Sequence, residues 1–174
     1  MIELVTLGML MQGKMSGYDI KKITEQSIGI FYKMSYGSLY PGLKRLVDSA
    51  YVTEEETNDS KNKKMYSITS EGQKHFMQWL REPLQSNKRE YLIKIFFYDY
   101  LDEPTKKQNL MAYQQNIARN IAQMEAVQSI VSKELEQLED KNAYYYRVSV
   151  MHYGLHFFKM ENEFLKKIIE KEEF

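Results

Sequence analysis

With 174 residues, 43% of them apolar and 28% charged, the chain holds enough for one ordinary domain or two small ones and reads as soluble. It has no cysteine, which excludes disulfides and thiolate metal sites and suits a reducing cytoplasm, the expected location. The formal net charge is zero, which counts against a general polyanion binder, so any contact with DNA must rest on a local patch.

Leu4 to Met11 is apolar but short, with no basic leader and no small-residue cleavage pattern, so it does not read as a signal peptide. No apolar run approaches the roughly 20 residues that a bilayer requires. Met1 to Met11 carries too many apolar side chains for one stripe and reads as a largely buried helix ending at Gly13. Ser16 then serves as the N-cap of a second helix running to about Ser27, with Asp19 three residues on as a capping-box variant. Ile28 to Met34 is a connector.

Ser35 to Val52 holds the most informative pattern. Leu39, Leu43, Leu46 and Val47 share one face of a helical repeat, and Ser38, Tyr40, Lys44 and Arg45 lie off it. Two readings stand side by side: an ordinary amphipathic surface helix, or a helix that reads a DNA major groove. Pro41 is compatible only with the first turn, which puts the helix start near Gly37 or Ser38. Ala50 to Glu56 and Met65 to Thr69 read as paired strands around a polar turn bearing Lys61, Lys63 and Lys64. Within that turn Asn58-Asp59-Ser60 matches the glycosylation pattern by chance. Thr69 caps a fourth helix through Phe76, Trp79 and Leu80, which Pro83 stops.

The order helix, helix, helix, strand, turn, strand, helix is the winged-helix arrangement. The fold class expected is therefore mainly α: a winged helix-turn-helix with a two-stranded wing over residues 1–83, then an all-α region over residues 84–174. In the second part Tyr91 to Leu101 reads as a buried helix, broken at Asp102-Glu103-Pro104. Leu110, Ile117, Met124, Val131 and Leu138 then recur every seven residues along one long helix, a coiled-coil-like seam. After a turn at Lys141-Asn142, Val148, Met151, Leu155, Phe158, Leu165 and Ile169 line the last helix, completing an αα-hairpin.

Ser16-Gly17-Tyr18-Asp19-Ile20, Ser35-Tyr36-Gly37-Ser38-Leu39-Tyr40-Pro41 with Leu43 to Leu46, and Lys64-Met65-Tyr66-Ser67-Ile68-Thr69 with Gly72 together resemble the PadR family of bacterial transcriptional regulators. Trp79-Leu80, Leu92, Lys94, Phe96, Phe97 and Tyr153-Gly154 are similar to its longer-tailed branch, with a virulence-activator-like C-terminal region. Two departures stand out: Ala50 where the family often has glycine, and the acidic Glu54-Glu55-Glu56 run, which should face away from phosphate. The resemblance implies a homodimer on a two-fold operator that represses until a small effector relieves it. On that basis Ser35, Tyr36, Ser38, Tyr40, Lys44 and Arg45 are the expected contacts of the third helix, and Lys61, Lys63 and Lys64 those of the wing. Tyr40, beside Pro41, can instead be packed.

The heptad seam also has two readings, packing within its own chain or against a partner subunit. Phe157, Phe164 and Ile168 widen the last helix beyond one stripe, which favours dimerisation through Leu110, Ile117, Met124, Val131, Leu155, Phe158, Leu165 and Ile169. Trp79, Lys94, Phe97, Tyr145 and His152 are candidates for a small aromatic effector, against the alternative that the aromatics are core and the cations solvated. No enzyme, cofactor or metal is expected. His152 and His156 lie four apart, but position 153 is Tyr, so no HExxH motif exists, and neither a phosphate loop nor a GxSxG elbow occurs. The other class in play is a winged helix used for protein contact.

Overall fold

The structure, a computed structural model, describes residues 1–56, 64–85 and 90–173. The chain divides into two compact units, Met1–Lys106 and Lys107–Phe174. In the first unit, α1 (Ile2–Leu10) lies in the core, with Val5, Leu7, Met9 and Leu10 all buried. It packs against α2 (Gly17–Ser27), α3 (Tyr36–Asp48) and α4 (Ser70–Arg81). The wing is the antiparallel pair β2 (Val52–Glu56) and β3 (Lys64–Ile68), in register Val52 to Ile68.

The sheet has a third member that the sequence reading missed. β1 (Met15–Ser16) pairs with β3 on its other edge, Met15 opposite Tyr66, giving the order β1-β3-β2. Two residues offer no periodicity to detect. Ser16 does cap α2, and the capping box is reciprocal: the Asp19 N–H donates to Ser16 Oγ at 3.2 Å and the Ser16 N–H donates to Asp19 Oδ2 at 3.1 Å.

The start of α3 lies at Tyr36, not at Gly37 or Ser38, because Ser35 and Ser38 form a second reciprocal capping box. Pro41 therefore sits in the interior of the helix rather than in its first turn. Its missing N–H leaves the Gly37 carbonyl without the usual donor, but both residues are exposed, so water can take that role. At the far end the Ala50 N–H donates to the Val47 carbonyl and the Tyr51 N–H to the Leu46 carbonyl, both at 2.9 Å. This is a Schellman closure, and it holds Ala50 at φ 57° in the left-handed region that favours glycine.

Thr69 caps α4 and ties the knot. Its hydroxyl donates to the Ala50 carbonyl at 2.8 Å and accepts the Gly72 N–H at 3.0 Å, while its own N–H donates to the Tyr51 carbonyl at 3.0 Å. Gly72 is required here, since a Cβ would stand 2.1 Å from the Tyr51 carbonyl oxygen. Beyond α4, the single helix expected over Tyr91–Leu101 is instead α5 (Glu90–Phe96) followed by a 3-10 turn at Tyr98–Tyr100. Phe97, between them, packs edge-on against Phe76 and Phe96 and is buried.

The long helix α6 (Glu103–Glu136) opens at Asp102, whose carboxylate accepts the Thr105 N–H at 3.0 Å and the Thr105 hydroxyl at 2.9 Å. Those bonds hold the Asp102 carboxyl below its ordinary pKa. In the second unit α7 (Tyr145–Glu170) runs antiparallel to α6: Lys159 pairs with Glu125 at 2.7 Å and Gln128 meets His152 at 3.2 Å. The Tyr113 hydroxyl donates to Glu161 at 3.1 Å inside the hairpin, where both residues are buried. No helix among the described residues is long and apolar enough to cross a membrane.

The Ala50→Gly substitution tests the Schellman geometry. A left-handed alanine costs about 1–2 kcal/mol, and glycine loses about 0.5–1 kcal/mol more backbone entropy on folding. The expected net gain is about 0.5–1 kcal/mol, read as a higher midpoint in urea unfolding; a lower midpoint would contradict the strain at this residue.

Candidate nucleic-acid interface

The buried stripe of α3 is Leu39, Gly42, Leu43 and Leu46, which leaves Tyr36, Ser38, Tyr40, Lys44 and Arg45 exposed. At about 100° per residue the exposed set divides into two flanks. Tyr36, Tyr40 and Lys44 form one flank, and Tyr40 and Lys44 line a groove shared with Glu54, Lys64 and Tyr66 of the wing. Ser38 and Arg45 occupy the other flank, where Arg45 is ion-paired with Glu3 of α1.

The hydroxyls at the helix start are already engaged. Ser35 Oγ accepts the Ser38 N–H at 3.2 Å, Ser38 Oγ lies 3.0 Å from Ser35 Oγ, and Ser38 Oγ donates to the Ser35 carbonyl at 3.0 Å. Their evident task is to set where α3 begins and how it is aimed. Tyr40 is half-exposed, but it is also packed: its ring lies on the Gly17 backbone and stacks on Tyr36 with centroids 5.9 Å apart. The Lys21 ammonium sits 5.0 Å from the Tyr36 ring centroid, a cation–π contact that ends this ladder.

Lys64 stands on β3 with its ammonium 3.0 Å from the Glu54 carboxylate across the wing. The hydrogen bond to Glu54 and its charge raise the Lys64 pKa. On the opposite strand face Glu55 pairs with Lys14. Part of the acidic run is thus turned toward lysines of the same chain, and those lysines are masked by it. Lys61 and Lys63 lie outside the described residues. Among the described residues Lys44 has no ion-pair partner, so it is the cation of α3 most open to a phosphate.

A helix-turn-helix with a capped second helix, an exposed flank on the third and a strand bearing Lys64 beside it is a DNA-binding arrangement. Residues 6–78, which carry all of it, match the model described as the Transcriptional regulator PadR-like family. That segment is similar to the PadR-like family. The negative transcriptional regulator PadR of Bacillus subtilis (strain 168) is 31% identical over 105 residues, and the match covers 58% of this chain and 58% of that protein. A crystal structure of Bacillus subtilis PadR in complex with operator DNA is 23% identical, with a TM-score of 0.46 and coverage of 97% of this chain and 96% of that one. A PadR-like transcriptional regulator from Bacillus cereus is 26% identical, with a TM-score of 0.44 and coverage of 98% and 97%.

Within the first unit, three effector candidates, Trp79, Lys94 and Phe97, are near one another, all C-terminal to the PadR-like segment. The Lys94 ammonium, almost wholly buried, lies 5.1 Å from the Trp79 ring centroid, 3.6 Å from the Glu82 carboxylate and 3.3 Å from the Glu82 carbonyl. Burial lowers its pKa, with Glu82 and Glu90 opposing. The Trp79 indole N–H donates to Glu90 at 3.3 Å, and Phe97 is core. Tyr145 and His152 belong to the second unit, where Tyr145 is exposed and His152 meets Gln128. That unit also holds an apolar cleft of about 470 Å³ lined by Val131, Leu135, Leu138, Tyr144, Val148 and Met151, with Arg147 at its side. The sequence alone does not join Arg147 to these residues, because the cleft forms only when the hairpin closes.

Replacing Glu54 by glutamine removes the carboxylate that faces Lys64. The expected result is tighter binding to a mixed-sequence duplex at low salt, with a plot of log affinity against log salt steeper by about one. Fluorescence anisotropy across a salt series measures both, and an unchanged slope would exclude Lys64 from phosphate contact.

Proposed function

We propose that the chain is a sequence-specific DNA-binding transcriptional regulator, a cytoplasmic repressor that acts as a homodimer. The observation that carries this reading is the Tyr36, Tyr40 and Lys44 flank of α3, set beside the wing groove within a PadR-like segment. Side chains on such a flank reach base edges, while the wing lysines grip phosphate. The relative whose name describes it as a negative transcriptional regulator supports repression. In this reading residues 1–83 bind DNA, residues 84–174 serve dimerisation and effector response, and the tail is that of the longer-tailed branch.

Dimerisation follows from how α7 distributes its apolar residues. Of the heptad set, Leu110, Ile117, Leu155 and Leu165 are buried within a single chain, and Met124, Val131, Phe158 and Ile169 are partly so. A second stripe, Tyr146, Val150, Tyr153, Phe157 and Met160, follows alternating four- and three-residue steps on the opposite face of α7. Its members are between 40% and 83% exposed. We assign the subunit contact to this bare stripe, since a 4-3 spacing is what a second helix packs against. Two third helices about 34 Å apart then meet successive major grooves.

A small aromatic effector fits the Trp79–Lys94 cluster if its carboxylate takes the place of Glu82 beside the ammonium and its ring meets the indole. The reading as a protein-contact module has one observation in its favour: Ile30 and Phe31 are exposed in the connector before α3, where apolar anchors suit a protein interface.

Two experiments test the proposal. Selection of duplexes from a random pool by the full chain should return a two-fold symmetric sequence bound at nanomolar protein. Retardation only at micromolar protein, without sequence preference, would favour the protein-contact reading. Val150→Glu with Tyr153→Glu should convert the dimer to a monomer in sedimentation and weaken binding to the selected duplex at least tenfold; a doubly substituted chain that still sediments as a dimer would refute the α7 stripe.

A further inference from the structure

The contact between Gly17 and Tyr40 joins the two helices of the helix-turn-helix at the edge of the proposed DNA surface. A Cβ on Gly17 would stand 3.0 Å from Tyr40 Cε1, 3.2 Å from Cζ and 3.3 Å from the hydroxyl oxygen. The outer end of the tyrosine therefore rests on bare backbone, and a methyl group there would fit only if the ring gave way by a few tenths of an ångström.

Gly17 is a firm floor. On its N-terminal side Ser16 is paired to Met65 in the sheet, and on its C-terminal side the Ser16–Asp19 capping box clamps the first turn of α2. Gly17 carries no positive-φ requirement, so alanine suits its backbone, and the helix itself would accept the change. Of the two partners in this contact, the half-exposed tyrosine ring is the one free to yield. Tyr40 is also stacked on Tyr36 and lines the groove with Lys44, Glu54, Lys64 and Tyr66. A methyl under the ring would lift it from that floor and turn its hydroxyl within the groove.

We propose that Gly17 is a positioning residue for DNA recognition: it lets Tyr40 lie flat on the start of α2, and so aims the Tyr40 hydroxyl into the groove between α3 and the wing, where it contacts DNA. This rests on the DNA-binding reading above. It explains why a glycine stands in the first turn of a capped helix, where most residues would serve equally well for the helix alone.

The test is a double-mutant cycle on the full chain, G17A, Y40F and G17A/Y40F, against a duplex selected from a random pool by the wild type. G17A and Y40F should each weaken binding to that duplex about tenfold, and the double variant should bind no worse than Y40F. Thermal melts check that all variants fold, and a variant that melts at the assay temperature is replaced by G17S, which places a similar atom under the ring. A G17A chain that binds like wild type, or losses that simply multiply in the double variant, would overturn the positioning role while leaving DNA binding intact. Failure of the wild type to select any duplex would sink both.

Discussion

Thr69 is the residue on which the geometry of the first unit turns. Through one hydroxyl and one N–H it holds the Ala50 carbonyl, the Tyr51 carbonyl and the Gly72 N–H, so the end of α3, the start of β2 and the start of α4 share one hydrogen-bonded knot. A helix that reads DNA is useful only if its angle to the wing is fixed, because the two must meet the same duplex. The knot supplies that angle at one end of α3, and the Ser35–Ser38 capping box supplies it at the other. Ala50 shows what the arrangement demands: the left-handed turn is kept even though the residue there is not glycine. Surrounding hydrogen bonds over-determine the conformation, the usual condition under which such strain persists.

Charge sets the second constraint. A chain with no net charge cannot rely on long-range attraction to a polyanion, and much of its local positive charge is already answered within the first unit. Glu3 holds Arg45, Glu54 holds Lys64 and Glu55 holds Lys14. These exposed pairs contribute little to stability, so their larger effect is on binding: a phosphate must compete with a carboxylate for each of these cations. Under the proposed function this biases the protein toward sites where Lys44, without an ion pair among the described residues, and the tyrosines of α3 add short-range contacts.

Much of this was legible in the residues, and the failures have identifiable causes. The capping box at Ser16 and Asp19 was readable because both partners are local and four residues define it. The box at Ser35 and Ser38 was not, since Ser38 off the apolar stripe looked like an outward donor, and that misplaced the helix start and Pro41 with it. β1 escaped because its existence depends on β3, some fifty positions away, and not on its own pattern. Tyr40 is the instructive case. Sequence offered two alternatives, packed or DNA-facing, and the structure shows a side chain packed along one surface of its ring and open along the rest. Periodicity assigns a residue to one face; it cannot show that a ring spans two.

The two stripes of α7 carry the same lesson into assembly. The repeat of every seventh residue lies on α6, where Leu110 and Ile117 are buried and Met124 and Val131 partly so, and the buried Tyr113–Glu161 pair joins α6 to α7. A polar pair in such a seam specifies one alignment at some cost in stability. Under the proposed dimer, the face of α7 that meets a partner is the less conspicuous one, where tyrosines interrupt the aliphatic run at Tyr146 and Tyr153. Aromatic side chains with a polar edge tolerate water in a free subunit and still bury well in a complex. A face composed this way suits a contact made between chains that must each fold first, and it separates the residues that build the hairpin from those available to join two of them.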